Sequence, residues 1–453
     1  MRDLTVGSET KAILFFAFPL MAGNLLQQMY NIVDTIIVGR CLGENALAAV
    51  GAAYSFMVLL TSVLLGLCMG CGVVFSYFYG AQHKESLQAS FYMAFVWVGT
   101  IAAAMMIITF LFLPAILDLL QTPRVVFTLQ IQYLQVILLG LPAVFFYNYA
   151  AAVLRSMGNS VWPLIALAVS AVLNIGLDLL FVLPLKMGVA GAAWATVIAQ
   201  GVSAVVLWVY LLRTSPDMRA ALGKRVWDKG LFAQLRHHSV WTSIQQSIMN
   251  FGILMVQGLV NRFGVAAMAG FAAAVKVDGF AYMPMQDFGN AFPTYVAQNR
   301  GAGKPERVRS GLRKAVMCVT LFGACISILV VCLARPLIGI FLQPMETEAI
   351  AVGVQYLHTV APFYCLIGYL FLFYGFYRGA GRAGVSVVLT IISLGTRVAL
   401  AYALAAIPSV GLAGVWWAVP IGWALADAVG LAMALWGRTA RETTESASAD
   451  GRW

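Results

Sequence analysis

The chain has 453 residues, of which 61% are hydrophobic and only 10% charged, with a mean hydropathy of +0.87. A water-soluble domain carries about 25% charged residues, so this composition excludes a large soluble domain and points to lipid as the main solvent. The formal charge of +10 lies between apolar runs, where it reads as membrane topology and not as a surface for nucleic acid.

Taken in chain order, the apolar runs predict spans near 12–37, 46–74, 88–113, 127–153, 161–184 and 188–212. A second set is expected near 238–262, 268–297, 311–334, 351–376, 385–407 and 412–436. The first run is too long for the apolar core of a cleavable leader and carries Pro19 and Asp34. With the N-terminus placed in the cytoplasm, Lys and Arg divide 21 to 5 in favour of that side. The loops at 213–237 and 298–310, with their flanks, dominate the count, and the split predicts both termini inside. Two basic residues, Lys276 and Arg397, fall within spans.

The chain repeats itself. Tyr133-Leu134 answers Tyr356-Leu357, "LRSMGN" at 154–159 answers "YRGAGR" at 377–382, and "GVAGAAWA" at 188–195 answers "GLAGVWWA" at 411–418, all at one constant offset. Gly80-Ala81 answers Gly301-Ala302 at a slightly shorter one. Each copy holds six spans, an even number, so the copies share one orientation. The expected fold is an all-α integral membrane protein. Twelve transmembrane helices form two parallel six-helix bundles related by a pseudo-two-fold axis along the membrane normal. The expected organisation is an N-terminal lobe at 1–212, a cytoplasmic linker at 213–237, a C-terminal lobe at 238–437 and a cytoplasmic tail at 438–453. A cleft between the lobes is the default substrate site.

Ionisable groups inside spans cost about 2.5–3.5 kcal/mol or more at mid-depth, which makes them functional candidates. Gln27, Tyr30, Asn31 and Asp34 fall at helical spacing on one face of the first span. Asn174 and Asp178 are four apart and point the same way. A carboxylate among amides and hydroxyls either binds a proton or Na⁺ or stitches helices together. Asp278 and Asp287 are secondary candidates, and Lys276 does not share a face with Asp278. Pro19 weakens the first helix about four turns before Asp34 and permits a hinge or a static kink there. "GAGRAG" at 379–384 matches a dinucleotide fingerprint in letters only, since it follows no strand. No Walker sequence is present, the four histidines show no metal spacing, and the CxxC of Cys68 and Cys71 has no second pair or His cluster beside it. The seven cysteines read as packing residues.

The segments "PLMAGNLLQQMYNIVDTIIVGRCLGENALAAVG", "FSYFYGAQHKE" and "AYMPMQDFGNAFPTYVAQNRGAGKPE" resemble the multidrug and toxic compound extrusion (MATE) family, and within it the DinF-like branch. The likeness runs from about residue 5 to 437. It implies that Asp34, Tyr133, Asn174, Asp178 and Thr196 form a cation or proton site in the N-lobe, with Na⁺ as one occupant of Asp34, Asn174, Asp178 and Thr196. It implies a bending role for Pro19 and a drug cavity beside it lined by Gln27, Tyr30, Asn31 and Asn148. The other bacterial branch carries a key acid in the seventh helix, and the span at 240–262 here has no Asp or Glu.

The reading is a transporter and not an enzyme: a monomeric inner-membrane antiporter with no cofactor. It exports amphipathic, often cationic drugs or toxic metabolites in exchange for H⁺ or Na⁺, with membrane lipid as its surroundings and no nucleic-acid partner. A flippase for a lipid-linked precursor is the alternative. A cationic cavity would be expected for it, and Arg397 is the only arginine clearly inside a span. An embedded enzyme and a channel are weaker rivals.

Overall fold

The computed structural model describes residues 3–120, 122–407 and 409–444, setting aside the side chains of 250–255, 257 and 436–444; the described residues form helices and no strand. The first half runs α1 (Glu9–Leu42), α2 (Glu44–Gly80), α3 (Lys84–Leu119), α4 (Arg124–Leu139), α5 (Leu141–Ser156), α6 (Val161–Val182), α7 (Gly188–Thr214) and the short α8 (Pro216–Lys224). The second runs α9 (Lys229–Val260), α10 (Val265–Gly301), α11 (Pro305–Cys332), α12 (Ala334–Gly339), α13 (Thr347–Val360), α14 (Tyr364–Gly379), α15 (Ala383–Ala405) and α16 (Gly411–Thr444). Among the described residues, ten helices are long and apolar enough to cross a membrane, α13 and α14 counting together, and α4 with α5 makes one more, bent span. α9 covers the seventh expected span, which includes side chains outside the description.

Most helices outrun their hydropathy signal. α2 was expected at 46–74 and runs over 37 residues to Gly80, a length of about 55 Å at 1.5 Å per residue. That exceeds an apolar layer of about 30 Å. Apolarity marks only the part in hydrocarbon, whereas the backbone ladder continues into the polar layer.

The span expected at 127–153 is broken. α4 and α5 meet at 43° around Gly140. Pro142 in the first turn of α5 has no N–H to give back to α4. Gly140 also admits α7, because a Cβ there would stand 2.7 Å from Val197 Cγ2. In the second copy, Pro362 sits in a 3₁₀ turn at Ala361–Phe363 between α13 and α14.

The helices cluster into two compact units. The first holds residues 1–250 with 291–312 and 378–383; the second holds 251–290, 313–377 and 384–453. Within the first unit, α1 packs on α6, with Gly23 against Leu164 and Leu167. The core gathers Phe75, Phe91, Phe145 and Tyr149, whose hydroxyl donates to the Phe91 carbonyl at 2.6 Å. The ends of α2 and α10 cross in this unit. A Cβ on Gly80 would collide with the Gln298 carbonyl, and one on Gly301 with the Tyr77 carbonyl.

Beyond that crossing, "QNRGAGKPER" ties down the N-terminal segment. Gln298 accepts from the Leu4 N–H at 3.2 Å and donates to the Ser156 carbonyl at 2.6 Å. Lys304 donates to the Thr5 carbonyl at 2.9 Å. Arg307 donates to Asn299 at 3.0 Å and to the Gly7 carbonyl at 2.9 Å, and it pairs with Glu9 at 3.7 Å. A stretch quoted for the family resemblance is thus a structural clasp.

Candidate ion and substrate site

In the first unit, α1, α4, α6 and α7 bring polar groups together in an apolar bundle. Asp178 is fully buried on α6, and Asn174 lies one turn earlier with 2% exposure. Asp34 of α1 reaches the same place, near enough for its carboxyl to act directly on that of Asp178. Tyr133 of α4 is buried within electrostatic range of both acids. The Asn174 amide donates to the Thr196 hydroxyl of α7 at 3.3 Å, and that hydroxyl donates to the Ala192 carbonyl at 3.1 Å.

The balance of donors and acceptors is lopsided. Asp34 Oδ1, Asn174 Oδ1 and both oxygens of Asp178 are buried, and none has a hydrogen-bond donor among the described residues. Buried acceptors are ordinarily paired, because stripping a polar group of water without replacement costs about 1–3 kcal/mol and more for a charge. These four buried acceptor oxygens, three of them on two adjoining carboxyls, are of the kind that could take a proton or a small hard cation. Na⁺ takes oxygen ligands of this kind, so the donor set fits it as well as it fits H⁺. All five residues assigned to the site on resemblance lie here.

The expected cavity residues divide. Tyr30 stands within hydrogen-bonding reach of Gln27 and within electrostatic range of Tyr54 on α2 and Tyr147 on α5. Tyr147 donates to the Pro163 carbonyl at 3.1 Å. Asn31 turns its amide to Gln28 at 3.4 Å, and Asn148 gives its amide to the Val144 carbonyl of its own helix at 2.8 Å. Tyr54 and Tyr147 were not singled out in the sequence. Tyr147 beside Asn148 in "FFYNY" was the available signal. Pro19 lies buried inside a continuous α1.

The second unit treats its acid differently. Asp278 of α10 is buried, with one carboxylate oxygen accepting from Tyr356 of α13 at 2.8 Å and the other from Tyr364 of α14. Tyr356 in turn packs against Phe271 and against Trp416 of α16, and those two rings stack at 5.3 Å. Asp278 therefore has the donors that Asp178 lacks. Lys276, two residues away, is exposed and lies over the Phe341 ring at 5.6 Å. Asp287 is buried nine residues on, which places it on the opposite side of α10. The two secondary candidates do not form one site.

Comparison with known proteins bears on the whole chain. The MatE family model matches twice, over residues 19–180 and again over 242–403, in the register of the internal repeat. The probable multidrug resistance protein YpnP of Bacillus subtilis is 29% identical over 392 residues, covering 86% of this chain and 87% of that protein. The probable multidrug resistance protein NorM of Thermotoga maritima is 25% identical over 416 residues, covering 90% and 88%. The multidrug export protein MepA of Staphylococcus aureus is 22% identical over 413 residues, covering 91% and 90%. Among solved structures, a MATE protein in the bent conformation superposes with a TM-score of 0.89 at 23% identity, covering 98% of each chain.

Proposed function

Because the chain belongs to the MatE family, we propose that it is a multidrug efflux antiporter of the bacterial cytoplasmic membrane. It exports amphipathic, often cationic compounds in exchange for H⁺ or Na⁺ by alternating access, with both termini in the cytoplasm. The names of its relatives support the substrate class.

The observation that carries the coupling is the set of orphaned acceptors on Asp34, Asn174 and Asp178. With the site empty, two adjoining carboxylates repel each other in a poorly screened interior. A bound proton or Na⁺ removes that repulsion and supplies the missing donor or ligand. Loading the ion favours whichever arrangement of α1 brings Asp34 closest to Asp178, and Pro19 is the point at which α1 yields most cheaply. A shift of α1 displaces Gln27 and Tyr30 on the same helix, so ion binding and drug binding become opposed, and loading the ion favours drug release.

Dye efflux from inverted vesicles tests this. Transport driven by an imposed pH gradient alone assigns H⁺, and transport driven by a Na⁺ gradient alone assigns Na⁺. Dye movement that neither gradient accelerates would sink the antiport reading.

A further inference from the structure

Arg397 is a charged side chain inside a span that this transport scheme leaves unused. It answers Asn174 at the same offset as the other repeat pairs. The second copy keeps the tyrosine of the first site, with Tyr356 for Tyr133, but has Ala401 where the first has Asp178 and Val419 where it has Thr196. An amide has given way to a fixed cation, and an acid to a methyl group.

The surroundings of Arg397 give this exchange a meaning. Gly422 of α16 lets α15 approach closely at this level, with the position of a Cβ only 3.3 Å from Arg397 Cβ. The guanidinium points inward, within electrostatic range of Asp278 and Tyr282 on α10 and of Tyr356 on α13. Asp278 lies beyond ion-pairing distance among the described residues, and its two oxygens are already held by Tyr356 and Tyr364. Arg397 Nε is buried with no acceptor among the described residues. A guanidinium carries five N–H donors in a rigid fork. The first copy thus presents acceptors lacking a donor, and the second presents a donor lacking an acceptor.

We propose that Arg397 forms an anion subsite in the second unit, which takes the carboxylate or phosphate of an amphiphilic substrate while the tyrosine-held Asp278 offsets its charge when the subsite is empty. Both anions match the fork of the guanidinium bidentately. This deepens the efflux reading and rests on it for naming the anion's carrier as a substrate. It gives the anionic end of a zwitterionic substrate a place in the second unit.

The test is equilibrium binding to the purified full-length protein in detergent. The probes are a rhodamine with a free carboxyl group and the methyl ester of the same dye. Arg397→Gln is expected to weaken the acid dye about ten- to a hundredfold, the range of a lost charge-assisted bond, and the ester less than about twofold. Arg397→Lys keeps the charge but loses the fork, and it should weaken the acid dye by a smaller factor. If the Gln variant does not fold, the Lys variant decides alone. Equal weakening of both dyes, or no change in either, overturns the proposal. Recovery of acid-dye binding on adding Asp278→Asn to Arg397→Gln also overturns it, since Arg397 would then only balance Asp278. Short-chain phosphatidylglycerol, with phosphatidylcholine as control, competes with the acid dye if the natural anion is a lipid headgroup; without competition it belongs to a soluble amphiphile, and the subsite stands in either case. Ester transport by the wild type is scored separately. Failure there rejects the efflux reading without touching the binding result.

Discussion

Asn174 donates to Thr196 from one helical turn before Asp178, and this single bond joins α6 to α7 at the level of the paired acids. It leaves the Asn174 side-chain oxygen buried with no donor among the described residues. The same side chain braces the helices and, under the proposed coupling, offers the ion a neutral ligand, which separates its predicted behaviour from that of the acids.

Asp34→Asn and Asp178→Asn should each abolish ion-driven efflux while the protein stays folded and in the membrane. Each change removes a charge from the place where the proposed coupling puts the ion. Size-exclusion profiles and thermal unfolding in detergent check the fold, and vesicle efflux checks the activity. Stable Asp178→Asn that still pumps dye against its gradient would end the coupling hypothesis. Unfolding of both variants would leave the acids as helix staples.

Asn174→Ala, Thr196→Val and Tyr133→Phe should tune the site without destroying it. Losing one neutral hydrogen bond or ligand costs about 0.5–1.5 kcal/mol. At about 1.4 kcal/mol per tenfold, the half-saturating ion concentration should rise about two- to tenfold. Efflux measured across a series of pH or Na⁺ concentrations reads that displacement directly.

Asp278→Asn should leave ion-coupled transport in place and lower its rate only partly, because Tyr356 and Tyr364 already satisfy that carboxylate. Tyr364→Phe strips one oxygen of its donor, at about 1–3 kcal/mol, so it should lower the melting temperature more than it alters coupling. A complete loss of coupling in folded Asp278→Asn would move the ion site to the second unit.

Arg307→Ala removes the donor to Gly7 and Asn299 and the partner of Glu9. Charge-assisted bonds are worth about 1.5–3 kcal/mol each where they are shielded. The variant should unfold at lower temperature, and its N-terminal segment should be cut faster by protease. Unchanged cleavage would mean that the clasp contributes nothing to order at the N-terminus.

The charge split predicts that a cysteine at Lys224 reacts with an impermeant thiol reagent only after permeabilisation, whereas one at Glu346 reacts in intact cells, both in a background lacking the native cysteines. Labelling of position 224 in intact cells would reverse the orientation.

Much of this was legible in the sequence. Hydropathy and the constant register of the repeat announce the helices, and four-residue spacing places Asn174 and Asp178 on one face. What spacing cannot report is a partner across the fold. Tyr364 reaches Asp278 over 86 positions, and nothing in either helix names the other. The break at Gly140 was hidden because a bend leaves mean apolarity unchanged. The clasp was hidden for the opposite reason: "QNRGAGKPER" reads as a cytoplasmic charge cluster, and its acceptors are backbone carbonyls at Leu4, Thr5 and Gly7, which carry no sequence signature.

The crossing of α2 and α10 has an evolutionary consequence. Gly80 abuts Gln298, and Gly301 abuts Tyr77. The shift that carries Gly80 onto Gly301 also carries Tyr77 onto Gln298, so the two contacts are reciprocal. Reciprocity of this kind is the mark of an isologous interface, which a pair of identical six-helix chains makes about a two-fold axis. In one polypeptide the crossing still requires a small residue from each copy, while residues away from it are under no demand that both halves be the same. Away from the crossing the copies are free to differ, and the position that is neutral Asn174 in one is cationic Arg397 in the other.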